Sequence, residues 1–290
     1  MDDEKVSMRK EANRRCVPFL KWAGGKRWIS QRHDALLPTH YERYFEPFLG
    51  SGAMFFATKP QVAHLSDVNP ELIRTFNAIK ENPRLVERYL REHSSRHSKN
   101  YYYQIRDKKP KSQFSIAARM IYLNRTCWNG LYRVNQQGNF NVPIGTNKKA
   151  TLPTDDFVEV SNLLKLAQVK VADFEEQIDK ADQDDFIFVD PPYTVKHNVN
   201  GFVQYNEKLF QYRDQIRLRD SLLDAHSRGA LFLLTNANHE SIRELYDFPE
   251  LHLTVTERNS VVASSSKFRV ATTELLVTNY PLGTGSSVIS

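Results

Sequence analysis

The chain has 290 residues, 40% of them apolar and 11% aromatic, enough for one large domain or one domain with a sizeable insertion. Its 40 Lys and Arg against 34 Asp and Glu give a formal net charge of +6, which suits a polyanionic partner. No apolar run is long enough to span a membrane, MDDEKVSMRKEANRR lacks the apolar segment of a secretory signal, and Cys16 and Cys127 fit no metal-ligand spacing, so a reduced, cytoplasmic protein without zinc or disulfide is expected.

Residues 1–16 read as a charged, flexible tail. FLKWAGGKRW, residues 19–28, invites a phosphate-loop reading that fails, because Leu20 and Arg27 stand where that loop needs Gly and Ser or Thr. Tyr44–Phe48 is a β-rich run that leads into FLGSG and then an apolar helix; Gly50 and Gly52 let a ligand approach the backbone closely. Val62–Leu65 is the next strand and ends on Ser66-Asp67, an acidic position that commonly grips ribose hydroxyls.

Helices are expected over Pro70–Lys80, Pro83–His93 and Ser112–Leu123. NRTCWNGLYRVNQQGNFNVPIGTNKK then turns polar and glycine-punctuated, and LYRVNQQGNFNVPIG reads as a hairpin with glycine in its turn. From Lys108 to Thr154 there is no acid, while Lys108, Lys109, Lys111, Arg119, Arg125, Arg133, Lys148 and Lys149 supply a positive field of the kind nucleic-acid binders use. Residues 70–153 are therefore taken as an inserted, mainly helical module.

Strands resume at Val169–Val171, before Ala172-Asp173, at Phe186–Val189, before Asp190, and at Leu231–Leu234, before TNAN. A helix is expected over Leu209–Arg228, LHLTVTE and TELLVTNY can pair as a hairpin, and GTGSSVIS reads as a second flexible tail. Strand and helix alternate, which predicts an α/β fold with a mostly parallel sheet.

The strand FIFV stops at Asp190-Pro191-Pro192-Tyr193. The prolines stiffen the backbone and donate no N–H. A carboxylate beside a fixed carbonyl is a pair of acceptors suited to a planar amino group, and Tyr193 offers a flat face for a base.

FLKWAGGK, FLGSG, a strand ending in Asp67, and DPPY, in this order, resemble the Dam-like DNA adenine methyltransferases (the D12 class, alpha arrangement), and NRTCWNGLYRVNQQGNFNVPIG resembles that family's DNA-recognition hairpin. The likeness runs over roughly residues 17–280. It implies a Rossmann-like S-adenosylmethionine-dependent methyltransferase domain, residues 17–69 plus 154–282, with a DNA-recognition domain at 70–153 and a tail at 283–290. It implies that Trp22, Lys26, Asp67 and Asp190 contact S-adenosylmethionine, that Asp173-Phe174 flank its adenine, and that Asp190, Pro191 and Tyr193 serve a target adenine flipped out of duplex DNA. Asn129, Leu131 and Arg133 stand where the family inserts into or reads DNA. A GATC-like site follows, with the outer base left open because Asn147 replaces an aromatic residue. No metal is required, and a cognate restriction endonuclease or defence partner fits such an enzyme.

Other readings compete. Amino-methyltransferases acting on cytosine, RNA or a protein amide favour Ser or Asn ahead of the prolines, where this chain has Asp190. A catalytically dead DNA-binding protein does not need Trp22, Lys26, Asp67 and Asp190. A zinc deaminase needs a cysteine pair and a His-x-Glu context that two isolated cysteines do not supply.

Overall fold

A computed structural model of the chain describes residues 16–22, 24, 25, 29, 33–135, 137–194, 210–258 and 272–282. Residues 1–15 of the first expected tail, the second tail, Lys26 and the connection between the two last strands lie outside the described residues. Internal contacts divide the chain into two compact units. One holds residues 26–49, 60–70 and 166–290; the other holds 1–25, 50–59 and 71–165.

The first unit contains the sheet. Its strands are β1 Tyr44–Glu46, β2 Ala63–Asp67, β3 Ala167–Val171, β4 Phe186–Val189, β5 Leu231–Ala237, β6 His252–Arg258 and β7 Thr272–Thr278. They are ordered β3-β2-β1-β4-β5-β7-β6, with β3 to β5 parallel and β7 antiparallel to both β5 and β6. Phe45 lies opposite His64 on one side and Ile187 on the other, and Val189 lies opposite Leu234. The β4 run FIFV is buried at all four positions, as a central parallel strand requires.

Among the described residues four helices belong to this unit: His33–Leu36, Phe174–Ile178, Tyr212–Ser227 and Glu240–Leu245. Leu218, Leu222 and Ala225 recur at helical spacing along Tyr212–Ser227 and close over Ile187, Val189, Phe232 and Leu234. Burying one such side chain stabilises by about 1.5–3 kcal/mol, so this face carries much of the unit's stability.

The second unit is helical: Ala53–Thr58, Pro70–Glu81 from its second residue, Pro83–Ser95, Lys99–Asp107, Gln113–Thr126 and Phe157–Lys165. Asn82 and Ser98 cap the helices that follow them, accepting from the Leu85 and Tyr101 N–H groups. Gln113–Thr126 lies against both Pro83–Ser95 and Lys99–Asp107. From Met120 to Thr126 it is buried on every face, polar residues included. That is why the helix outruns the apolar pattern that ends at Leu123.

Candidate active site

In the sheet, the order reverses between β1 and β4, and open α/β sheets take ligands at the carboxyl ends of strands flanking such a point. The chain leaving β1 is pinned there: the Leu49 N–H donates to the Ser66 carbonyl at 2.9 Å. Asp67 ends β2, and its Oδ1 accepts the Asn69 N–H at 2.9 Å, an Asx turn that fixes the carboxylate. Asp190 follows β4. Thr235 Oγ1 on β5 donates to Asp190 Oδ1 at 2.7 Å. Pro191 is buried, and Asp190 and Tyr193 are half-buried. Asp67 and Asp190 thus share the carboxyl edge of the sheet, on the two strands that flank β1.

Asp173, at the same edge after β3, accepts from the Glu175 N–H at 3.1 Å and from Arg217 Nη2 at 2.9 Å. Phe174 stacks on Phe48 with ring centres 5.4 Å apart, and the Arg217 guanidinium lies 4.8 Å above its ring. Phe174 is buried, with Phe48, Phe210 and Arg217 packed on its ring beside the carboxylates.

The helical unit positions Trp22. Its indole stacks on Tyr132, centres 5.4 Å apart and planes 22° from parallel, while Tyr132 donates to Glu71 Oε2 at 2.9 Å. Gly50 has φ +48°, and a Cβ there would sit 2.8 Å from Trp22 Cδ1. Asn124, fully buried, accepts the Lys21 N–H at 2.8 Å and donates to the Lys21 carbonyl at 2.8 Å and the Gly130 carbonyl at 3.2 Å. Arg125 donates to the Phe19 and Ala150 carbonyls and makes a two-pronged ion pair with Asp155, 2.7 Å on each arm. The FLKW segment is therefore stapled to the residues around Asn129.

Asn129 is exposed and left-handed at φ 54°, a conformation asparagine tolerates better than most residues. Leu131 is half-buried and Arg133 exposed. Arg133 Nε donates to Asn141 Oδ1 at 3.0 Å, which orients the guanidinium. The chain reverses beyond it: Val134 and Phe140 form an antiparallel bridge, and the Asn141 N–H donates to the Arg133 carbonyl at 3.2 Å. Trp128, next to Asn129, is 53% exposed, an uncommon cost for a large apolar ring.

Two of the eight cations do not contribute to a surface field. Arg125 is 2% exposed and neutralised by Asp155, and Arg119 is turned inward onto the Ile105 and Arg106 carbonyls and Glu71. Lys108, Lys109, Lys111, Arg133, Lys148 and Lys149 remain exposed. Asn147 braces its own loop, since its side-chain amide donates to the Arg125 and Lys149 carbonyls and its Oδ1 accepts the Lys149 N–H. Both cysteines are free thiols, pushed up by burial to about 12 for Cys16 and about 11 for Cys127, which makes them poor nucleophiles.

Asn124, Tyr132 and Thr235 were not singled out by the sequence. A polar NRT run inside a buried helix is the signal that could have found the first; the other two depend on partners far along the chain.

A model of the family "D12 class N6 adenine-specific DNA methyltransferase" matches residues 22–261. The chain is 36% identical to a Type II methyltransferase, M1.LlaDCHI, of Lactococcus lactis subsp. cremoris, covering 91% of this chain and 95% of that protein. It is 32% identical to the Type II methyltransferase M.MjaIII of Methanocaldococcus jannaschii, over 91% and 99%. It is 30% identical to a DNA adenine methylase of Escherichia coli, over 91% and 95%. The chain belongs to the D12 class of N6 adenine-specific DNA methyltransferases.

Proposed function

We propose that the chain transfers a methyl group from S-adenosylmethionine to the N6 amino group of an adenine flipped out of duplex DNA, within GATC or a closely related site. The observation that carries this reading is Asp190: a carboxylate at the sheet's switch point, at the head of a double-proline turn, gripped by Thr235 at 2.7 Å.

The residues present fit the methyl donor. Asp67, held by its Asx turn, is a ready acceptor for ribose hydroxyls. Gly50 leaves no room for a side chain beside the Trp22 ring, so the indole packs directly on the backbone there and is held in one place. Trp22 and Lys26 would contact the donor as the family's residues do, and Asp173 and Phe174 would flank its adenine. When bound, the donor supplies a methyl on a positively charged sulfur, which keeps the electrons of the broken bond.

The adenine amino nitrogen is a weak nucleophile because its lone pair is conjugated with the ring. Asp190 and the Pro191 carbonyl would accept its two hydrogens and favour a pyramidal nitrogen with an available lone pair. That lone pair forms the new N–C bond, and one amino proton is then lost. Positioning and electrostatics supply the acceleration. Flipping costs on the order of a few kcal/mol, and Tyr193 would stack on the extruded base. Asn129 and Leu131 would enter the space it leaves.

Arg133 would read a guanine edge in the major groove, and Lys148 and Lys149 would hold phosphates. The outer base is left open, because Asn147 is occupied with its own loop. The Type II names of two relatives support a role beside a restriction endonuclease, and the adenine-methylase names of others support a solitary one. Expression in a host without adenine methylation, with modified adenines mapped across its genome, separates GATC from its neighbours. Asp190→Ala should abolish transfer in a folded protein; retained turnover rules out its role.

A further inference from the structure

The double-proline turn is held at one end by Thr235 of β5 and at the other by Gln215 of the helix Tyr212–Ser227, which the next β5 residue, Asn236, holds in turn. The parallel register that sets Val189 opposite Leu234 brings the next residues, Asp190 and Thr235, side by side. Thr235 is fully buried, and its hydroxyl lies 2.7 Å from Asp190 Oδ1 but 3.5 Å from the Val189 carbonyl. A hydroxyl has one proton, and only the 2.7 Å contact has the usual length of an O–H···O bond, so the proton is donated to Asp190. Asn236, also fully buried, donates to Gln215 Oε1 at 3.0 Å, and Gln215 Nε2 reaches Thr194 Oγ1 at 3.4 Å. The Asn236 Oδ1 accepts the Ala237 N–H at 2.8 Å, which sets the amide's orientation.

We propose that Thr235 is a positioning residue for methyl transfer: its hydroxyl sets the rotation of the Asp190 carboxylate, while Asn236 and Gln215 hold the far end of the turn at Thr194. The proposal rests on the reading of Asp190 as the acceptor for the target amino group. The need for such a residue is physical. The prolines fix the backbone, but the terminal torsion of an Asp side chain is broad and roughly two-fold. A donor on one carboxylate oxygen narrows that torsion and so aims the group at the amino hydrogen. Productive alignment tolerates only about 10–20°.

The test compares Thr235→Val, which keeps the shape and removes the hydroxyl, with Thr235→Ser, which keeps the hydroxyl, and with Asp190→Ala. Melting temperature reports folding, and 2-aminopurine fluorescence at the target position reports DNA binding and flipping. Single-turnover transfer reports the chemical step. Thr235→Val is expected to bind and flip within about twofold of the parent but to transfer about ten- to a hundredfold more slowly. Thr235→Ser is expected to recover most of the rate. Thr235→Ala carries the same expectation as the valine variant and replaces it if that variant does not fold. A parental rate without the hydroxyl overturns the proposal, as does an equal loss in the serine variant or a loss of DNA affinity that matches the loss of rate. Full transfer by Asp190→Ala overturns the reading beneath it; a dead Asp190→Ala beside a full-speed Thr235→Val overturns this inference alone.

Discussion

Replacing Gly50 with alanine puts a methyl carbon 2.8 Å from Trp22 Cδ1 and 3.0 Å from its Nε1. The backbone there has φ +48°, which costs an L-residue about 1–2 kcal/mol. The indole must also move off Tyr132, and that stack is worth about 0.5–1.5 kcal/mol. Against this, alanine restricts the unfolded chain and returns about 0.4–1 kcal/mol. The net expectation is a loss of about 0.5–3 kcal/mol, read as a lower urea midpoint at unchanged slope. Gly138→Ala is the internal control: its φ is +75°, but nothing lies within 4 Å of the added carbon. It should show the backbone cost without the displaced ring. Calorimetric titration with S-adenosylmethionine should then show weaker binding, by about fivefold or more, for Gly50→Ala and parental binding for Gly138→Ala. Equal stability and equal cofactor affinity in the two variants would refute the reasoning about Trp22.

Arg125→Met leaves the partly buried Asp155 without its ion-pair partner and strips donors from the buried Phe19 and Ala150 carbonyls, so urea unfolding should register a loss of about 3–5 kcal/mol; a change under about 1 kcal/mol would contradict it. Arg133→Ala should relax discrimination at one guanine by about 1–3 kcal/mol, visible when methylated sites are sequenced; uniform weakening at all sites would make it a phosphate contact instead. Burial pushes His93 down from 6.5 to about 4. The unfolded state then binds a proton that the folded state refuses, so stability present above pH 6.5 is lost as pH falls through this window, at a slope of at most about 1.4 kcal/mol per pH unit. His93→Gln should flatten that part of the stability–pH curve; an unchanged curve would assign the acid loss elsewhere.

Asp190 was legible because its signal is local: four buried residues, a carboxylate and two prolines declare a strand end with a rigid exit. Thr235, which holds it, was not. It is 45 residues away, and only the β4–β5 register makes them neighbours. The strands were visible as apolar runs, but their order was not, since a run does not encode which edge it pairs with. β5 runs on to Ala237 because Thr235 and Asn236 find partners inside, which composition alone does not reveal. Helices Lys99–Asp107 and Phe157–Lys165 passed unnoticed because they are short. Charge counting overstated the basic surface, because Arg125 and Asp155 pair across 30 positions, just beyond the acid-free span.

The measurement that bears most directly on the central claim is the incorporation of a labelled methyl group from S-adenosylmethionine into duplex DNA by the purified chain, with the product nucleoside identified by mass spectrometry. N6-methyladenine confined to GATC or a one-base relative is the expected product, and Asp190→Ala should yield none. Methyl incorporation into cytosine, or no incorporation by a folded protein that binds both the donor and DNA, would contradict the account.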